Sequence, residues 1–333
     1  MKKSCFFYLL RKNCYNLNLV IDYSLKIHIV VVSIKNVTIS LFIIVSIFLL
    51  SLIGVRLFFL QNKTKSSNVE NDLNRVSSVD FNRETITLEL EHQQTELQKI
   101  LDEYQNSVPV ASSSVVIDLN DHVRATANAD DQFVAASLYK LFVAYAVYDK
   151  IDRGEMTYEQ QVPNSSFTVE ACLQAMIAAS DNECGFELGN LVDWTQLDQK
   201  LQNEGYTDTK LDNYDEKGDL DGDKKTSARD VAQLLYNLYQ GRLVSPESRE
   251  HFLTILNKQQ RDDRLPQGLP QNTDIAHKTG ELEDHRHDAG LITEGENQYI
   301  AVMLTAGWEN PSQEAPPIFR DFSQTLATYF RYQ

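Results

Sequence analysis

The spacing of apolar residues divides the chain into a long uncharged run, a polar stretch and a globular region. Residues 36–55 are twenty uncharged and mostly apolar residues, enough to cross the hydrocarbon core of a bilayer as a helix. Residues 61–82 are polar and show no period, as a tether would. The pattern predicts four regions: a cytoplasmic N-terminal segment (1–35), a transmembrane signal anchor (36–60), a flexible linker (61–82) and a folded domain (83–333).

The orientation of the anchor follows from the basic residues around it. Six Lys and Arg residues precede the apolar run, so the positive-inside rule predicts a cytoplasmic N-terminus, a single-pass chain and a domain outside the cytoplasm. A cleaved signal peptide is the alternative. We favour the retained anchor because the run is long for a signal peptide and no small-residue cleavage site follows it.

Within the globular region, strand patterns lie at both ends and helical patterns lie between them. Residues 113–128 alternate about an Asn-Asp turn and predict a β-hairpin. Near the C-terminus, residues 287–294 and 298–307 are strand candidates. Helical periods cover residues 84–104, 136–148, 167–192, 226–241 and 318–333. The fold prediction is therefore α/β of the two-lobe α+β kind: an antiparallel sheet built from both ends of the domain, flanked by helices, with an inserted all-α lobe and one preceding transmembrane helix.

The distribution of net charge along the chain limits the kinds of partner that this protein can bind. The net charge is −16, but residues 1–65 carry +8 and the remaining residues carry −24. An acidic domain lacks the clustered Lys and Arg that a phosphate backbone requires. We therefore expect no nucleic-acid partner. The apolar run predicts a membrane contact through one helix, and we expect a monomer.

Neither the cysteines nor the glycines form a pattern that would predict a bound cofactor. Cys172 and Cys184 fall in a helical segment and are interpreted as small buried hydrophobic residues. A disulfide between them is the less favoured alternative. No Cys and His grouping has zinc spacing, and neither a phosphate-binding glycine loop nor a dinucleotide fingerprint is present.

The first candidate site is a serine and a lysine at the head of an apolar helix. Ser137 and Lys140 are three residues apart and so share one helix face. A serine hydroxyl needs a neighbouring base to become a nucleophile, and a buried lysine amine with a lowered pKa can serve as one. The alternative is a helix start with an exposed lysine.

Two tripeptides offer further polar groups. Ser180, Asp181 and Asn182 interrupt two helical stretches, where a helix cap is the simpler interpretation. Residues 278–280, Lys-Thr-Gly, lie in an extended segment that we expect to be an edge strand. There a lysine would supply positive potential, a threonine a hydroxyl, and Gly280 a close backbone approach to a ligand.

In this order, S-x-x-K, S-D-N and K-T-G resemble the motif set of class A β-lactamases and penicillin-binding proteins, over about residues 90–333. The resemblance implies an α/β lobe and an α-helical lobe with the site between them. It implies the following roles: Ser137 as the acylated nucleophile, Lys140 as its base, Ser180 as a proton relay to the leaving nitrogen, Asn182 as a grip on the substrate amide, Lys278 and Thr279 as carboxylate ligands, and the backbone N–H groups of Ser137 and Glu281 as the oxyanion hole. If these segments meet, the Lys278 ammonium must lie within about 10 Å, one screening length, of the Ser137 hydroxyl.

One departure concerns deacylation. Class A β-lactamases carry a Glu-x-x-Leu-Asn stretch after S-D-N that activates water, and residues 209–230 hold no such motif. Glu216 is the nearest candidate by spacing, with Asp212, Asp215 and Asp219 as others. Without a positioned base the acyl-enzyme forms but hydrolyses slowly.

The remaining titratable residues have simpler interpretations. Asp219, Asp221, Asp223 and Asp230 match positions of a calcium loop, but a solvated acidic loop is favoured. His277, His285 and His287 are expected to be rim or surface residues.

The expected function is therefore a membrane-anchored extracytoplasmic serine hydrolase that cleaves β-lactam amides through an acyl-serine. The alternatives are a D-Ala-D-Ala carboxypeptidase or esterase acting on peptidoglycan stem peptides, and a non-catalytic module that binds the cell wall or β-lactams.

Overall fold

The computed structural model describes residues 87–214 and 220–332. The predicted cytoplasmic segment, anchor and linker lie outside the described residues, as do Asp215, Glu216 and Asp219. Among the helices of the described ranges, none combines the length and apolar character needed to span a bilayer.

The strands form one antiparallel sheet and one short ribbon. They are β1 (Ala111–Asp118), β2 (Arg124–Ala127), β3 (Gln132–Val134), β4 (Lys225–Ser227), β5 (Asp274–Leu282), β6 (His285–Glu294) and β7 (Asn297–Ala306). The five-stranded sheet has the order β2-β1-β7-β6-β5, and β3 pairs with β4 separately. The predicted hairpin is β1 and β2, with Val116 opposite Ala125. The prediction of a sheet built from both ends of the domain is confirmed, with β5 at its edge.

The helices surround this sheet. They are α1 (87–105), α2 (Tyr139–Asp152), α3 (Val169–Ala178), α4 (Asn182–Val192), α5 (Trp194–Asn203), α6 (Ala228–Tyr239), α7 (Pro246–Leu256) and α8 (Pro311–Arg331). All of α2 to α7 lie between β3 and β5 along the chain. The predicted inserted lobe is therefore helical apart from β4, which pairs back to β3.

Both faces of the sheet are buried, because each is covered by helices. Side chains of successive residues point to opposite faces of a strand. In β7, Ile300 and Val302 join the core shared with α2 and α6, whereas Tyr299 and Ala301 join the core shared with α1 and α8. This two-sided burial explains why β7 reads as a continuous apolar run rather than as an alternating one.

The terminal helix is longer than its sequence pattern predicts. The sequence pattern predicts a helix around residues 318–333, but α8 starts at Pro311 and continues through Pro316 and Pro317. Each proline removes one backbone N–H donor, so the helix loses two hydrogen bonds close to its N-terminus. Ala315, which lies in the added part of the helix, is fully buried in the core shared with the sheet, and this burial favours the longer helix.

Candidate active site

The nucleophile candidate lies in a tight turn that leads into α2. Residues Ala136–Leu138 form a short 3-10 helix beside β5, and Ala136 has a φ of 43°. Ser137 is half-buried, whereas the Lys140 side chain is fully buried. The Lys140 ammonium donates a hydrogen bond of 3.2 Å to the Ser137 hydroxyl. The alternative of an exposed lysine at a helix start is therefore wrong.

The Ser-Asp-Asn tripeptide forms the turn between α3 and α4 and lies next to Lys140. Lys140 Nζ lies 2.7 Å from the Ser180 carbonyl oxygen, 3.3 Å from the Ser180 hydroxyl and 2.7 Å from Asn182 Oδ1. The Asp181 carboxylate points away and accepts the Cys184 N–H at 2.8 Å, which caps α4. Within this tripeptide, Asp181 therefore caps α4, whereas Ser180 and Asn182 line the crevice.

The Lys-Thr-Gly segment reaches the same hydroxyl from the opposite side. Lys278 Nζ donates to the Ser180 hydroxyl at 2.9 Å and to the Thr279 carbonyl oxygen at 2.9 Å. A Cβ at Gly280 would lie 2.9 Å from the His287 ring. Glycine at position 280 therefore allows the edge strand to lie flat against the buried histidine.

The three motifs meet in one crevice. Three contacts of 3.3 Å or less connect Lys278 Nζ to the Ser137 hydroxyl by way of Ser180 and Lys140. The two atoms are therefore closer than the limit of about 10 Å set by one screening length. We call Ser137, Lys140 and residues 180–182 the helical side of the crevice, and residues 278–281 its strand side.

Burial changes the acidity of both amines. Desolvation lowers the pKa of Lys140 to about 8, while the Asp181 charge acts in the opposite direction and Arg261 adds to the lowering. Desolvation lowers the pKa of Lys278 well below its usual range, and the neighbouring Lys140 charge lowers it further. Since both amines approach one hydroxyl, they titrate as a coupled pair. One of them can give up its proton near neutral pH far more easily than an exposed lysine can.

The sequence analysis missed a group of arginines behind the strand side. The Arg264 side chain is 1% exposed and donates to the His287 carbonyl oxygen at 3.1 Å and to the Glu281 carboxylate at 3.1 Å. Arg261 and Arg286 also contact Glu281, and these arginines lower the pKa of this carboxyl although its burial raises it. No spacing rule relates an arginine at position 264 to the 278–281 strand segment that it contacts, so only the fold reveals it.

Two of the three histidines predicted at the rim are buried. His277 is 2% exposed and pairs with Asp288 at 2.9 Å. His287 is fully buried, which lowers its pKa to about 4, and its Nε2–H donates to the Val134 carbonyl oxygen at 2.8 Å. His285 is half-buried. The prediction was wrong for His277 and His287 because both lie within the sheet, and the groups that pack over them come from distant parts of the sequence, as Val134 does for His287.

The interpretation of the cysteines as free hydrophobic residues was also wrong. Cys172 and Cys184 form a disulfide between α3 and α4. Both are fully buried, so their burial was predicted correctly and their pairing was not. The pairing depends on the angle at which the two helices leave the 180–182 turn, and the sequence pattern does not contain that angle.

The described candidates for a deacylating base and for calcium ligands are bound to other groups of the protein. Asp212, the described candidate base, accepts a hydrogen bond from the Thr195 hydroxyl at 2.6 Å. Asp230 points to Thr209 and to the Asp208 N–H, away from a calcium loop. Within residues 87–214 and 220–332, no three acidic, His or Cys side chains group as metal ligands.

Comparison with known proteins identifies the class to which this fold and crevice belong. The profile of the Beta-lactamase enzyme family matches residues 93–330, and the chain belongs to that family. A curated relative is β-lactamase VEB-1 of Pseudomonas aeruginosa, which is 25% identical over 238 residues, or 61% of this chain and 80% of VEB-1.

Solved structures give the same result for the fold. PBP-A, determined as an acyl-enzyme complex of a mutant with penicillin G, superimposes with a TM-score of 0.64 at 25% identity over 73% of this chain and 97% of PBP-A. An ancestral class A β-lactamase superimposes with a TM-score of 0.63 at 20% identity over 70% of this chain and all of the ancestral enzyme. The domain therefore has the fold shared by class A β-lactamases and the penicillin-binding protein PBP-A.

Proposed function

We propose that this protein is a membrane-anchored, extracytoplasmic serine hydrolase whose Ser137 attacks β-lactam amides to form an acyl-enzyme. The observation that carries the proposal is the contact network in which the buried Lys140 contacts the Ser137 and Ser180 hydroxyls and the buried Lys278 contacts the Ser180 hydroxyl. Burying two ammonium groups beside two hydroxyls costs free energy. Catalysis gives a reason for that cost.

The acylation step assigns one role to each group on the helical side. The neutral Lys140 amine takes the Ser137 proton as the oxygen attacks the amide carbon, and the backbone N–H groups of Ser137 and Glu281 stabilise the oxyanion. Ser180, hydrogen-bonded to both lysines, passes a proton to the departing nitrogen as the C–N bond breaks. Asn182 holds the amide of the substrate side chain.

The strand side is assigned to the substrate carboxylate. Lys278 and the Thr279 hydroxyl are the proposed ligands, Gly280 allows the backbone to approach, and the buried Arg264 adds positive potential behind them. This positive crevice lies in a chain of net charge −16. The contrast favours a small anionic substrate, since a large polyanion would be repelled by the surrounding surface.

A second function is favoured by the segment after the 180–182 turn. The Glu-x-x-Leu-Asn stretch is absent there, Asp212 is bonded to Thr195, and Glu216 remains the proposed base from spacing alone. If no carboxylate activates water, the acyl-enzyme persists. The protein is then a penicillin-binding D-Ala-D-Ala carboxypeptidase or esterase, or a β-lactam sensor, and the likeness to PBP-A supports this alternative.

The proposed location rests on two independent features. The apolar run at 36–55 with its preceding basic residues favours a retained anchor. The Cys172–Cys184 disulfide favours an oxidising compartment, because cytosolic proteins rarely keep such bonds. We therefore propose that residues 1–35 are cytoplasmic, 36–60 cross the membrane, 61–82 form a linker and the monomeric domain 83–333 lies outside.

Intact-mass spectrometry during incubation with benzylpenicillin tests the proposal. We expect a mass increase of one penicillin, absent in Ser137→Ala and mapped to Ser137 by peptide digestion. A transient adduct with release of penicilloate indicates a β-lactamase, and a persistent adduct indicates the penicillin-binding alternative. Glu216→Gln is the matched variant, because it should prolong the adduct only if Glu216 activates water.

Failure to form any adduct with intact, folded protein would contradict both enzymatic proposals. Binding of penicillin or peptidoglycan by calorimetry without an adduct would then favour the non-catalytic module. Hydrolysis of simple esters by a protein that is inert to penicillin would favour the esterase.

A further inference from the structure

We propose that the Cys172–Cys184 disulfide is a positioning device of the acylation site, so that the oxidised protein acylates faster than the reduced one. The inference rests on the proposed function, because it assigns to the disulfide the task of holding the Ser180–Asn182 turn in its working shape. The two cysteines would then be positioning residues that act through Ser180 and Asn182, with no contact to substrate.

The disulfide joins the two helices that meet at this turn. Cys172 lies in α3 and Cys184 in the first turn of α4, and their Cα atoms are 5.0 Å apart. The sequence separation is 12, and the 180–182 tripeptide lies inside the closed loop. Any change in the angle between the two helices must therefore strain the covalent link.

The turn itself has a backbone conformation that needs support. Ser180 has a φ of 59°, in the left-handed region that only glycine adopts freely. Such conformations persist where the surroundings determine them fully. Here the support comes from Asp181, whose N–H donates to the Ala175 carbonyl oxygen at 3.0 Å and whose carboxylate accepts from the Cys184 N–H. The disulfide thus ends on the residue that completes this cap.

The electrostatics of the crevice act against the turn. Lys140 and Lys278 both donate to the Ser180 hydroxyl, at 3.3 and 2.9 Å. When both amines are protonated their charges repel each other, and a mobile turn would let Lys140, which the turn holds through the Ser180 carbonyl oxygen and Asn182, move away from Lys278. Both cysteines lie on the helical side, so the disulfide acts on the turn itself and fixes Ser180 in the position between the amines that proton relay requires.

Apolar packing also holds α3 and α4 against the core, independently of the disulfide. Leu173, Met176 and Ile177 of α3 and Leu188 and Val192 of α4 are buried in the same core. We therefore expect the protein without the disulfide to stay folded while the 180–182 turn loses its fixed geometry. A displacement of about 1 Å in a catalytic group can reduce a rate a hundredfold.

The test compares the full-length wild-type protein with the double variant Cys172→Ala/Cys184→Ala. Acylation by a fluorescent penicillin is followed by stopped flow, and the maximal acylation rate is separated from the binding constant. We expect the maximal rate to fall about tenfold or more and its pH profile to shift, because Lys140 changes partners with the turn. Phe330→Leu, in the distant core shared with α8, is the control for a loss of stability alone.

Reduction of the wild-type protein is the second measurement. One dithiothreitol molecule supplies two electrons and two protons, becomes its cyclic disulfide, and leaves two cysteine thiols. Thiol titration and circular dichroism establish that the bond is open and the fold intact. We expect the same loss of rate, reversed on reoxidation.

The outcomes separate the two proposals. A double variant and a reduced protein that acylate within twofold of the oxidised protein, with an unchanged pH profile, would overturn the positioning role and leave the proposed function standing. An oxidised wild-type protein that forms no adduct would overturn both proposals.

Discussion

The two sides of the crevice are built differently. On the helical side the proposed catalytic groups contact one another directly, since the Lys140 ammonium reaches Ser137, Ser180 and Asn182 within 3.3 Å. On the strand side, a single hydrogen bond between side chains crosses the crevice in the described residues, from Lys278 to Ser180. The strand side is instead supported from behind, by Arg264 and His287.

This difference suggests a division of work. Groups that contact one another at hydrogen-bond distance can exchange protons, and groups on an edge strand with buried cations behind them can hold an anion. Substitutions on the helical side should therefore change the rate of acylation, and substitutions on the strand side should change substrate binding. The following experiments test this division.

The largest effect is expected for Lys140→Ala. General bases contribute about 10² to 10⁴ in rate, so we expect the maximal acylation rate to fall about 10³-fold with little change in the penicillin binding constant. Stopped-flow acylation measures both quantities. A fall confined to binding would show that the helical side does not contain the base.

Lys278→Ala should give a smaller and different loss. Hydrogen bonds to charged groups are worth about 1.5–3 kcal/mol, which corresponds to about 10- to 150-fold weaker binding of penicillin. Lys278→Arg keeps the charge and should recover part of the affinity. If the alanine variant instead reduces the maximal rate as much as Lys140→Ala does, the two sides do not divide the work.

The pH dependence of acylation tests which protonation state of Lys140 is active. Burial lowers the pKa of Lys140 to about 8, and a general base acts in its unprotonated form. The neutral fraction rises with pH up to this pKa, so acylation should increase about tenfold per unit below pH 8 and level off above it. A rate that stays constant between pH 6 and 9 would contradict Lys140 as the base.

The smallest effects are expected for two glycines of α4. A Cβ at Gly185 would lie 2.9 Å from Lys140 Cε and 2.6 Å from the Tyr139 hydroxyl, whereas one at Gly189 would lie 2.0 Å from the Trp194 ring. Overpacking of this kind costs about 1–3 kcal/mol, offset in part by about 1 kcal/mol of helix propensity. Gly189→Ala should therefore lower the melting temperature more than Gly185→Ala does.

Acylation provides the contrast between the two glycines. Gly185→Ala should slow acylation several-fold because Lys140 must shift, and Gly189→Ala should leave the rate of the folded protein unchanged. Equal rates for both variants and the wild type would mean that the helical side tolerates displacement.

Much of the fold could be predicted from local chemistry. The alternation in 113–128 predicted the β1–β2 hairpin. Ser227 caps α6 by accepting the Asp230 N–H, and Gly154 follows α2 with a φ of 72°, both residue types that favour helix ends. These features depend on neighbouring residues, so the sequence pattern contains them. Local chemistry failed at α8, where tertiary burial outweighed two prolines.

The order of residues along the chain already contains the chemical groups of this protein: three short motifs in order, an apolar run, and strands at both ends of a helical insertion. What surrounds those groups was set by the folded structure. It buried His277 and His287, brought Arg264 behind the edge strand, paired Cys172 with Cys184 and set two ammonium groups on one hydroxyl. The physical reason is that pKa, burial and disulfide geometry depend on distances between residues far apart in the chain, and no local pattern encodes those distances.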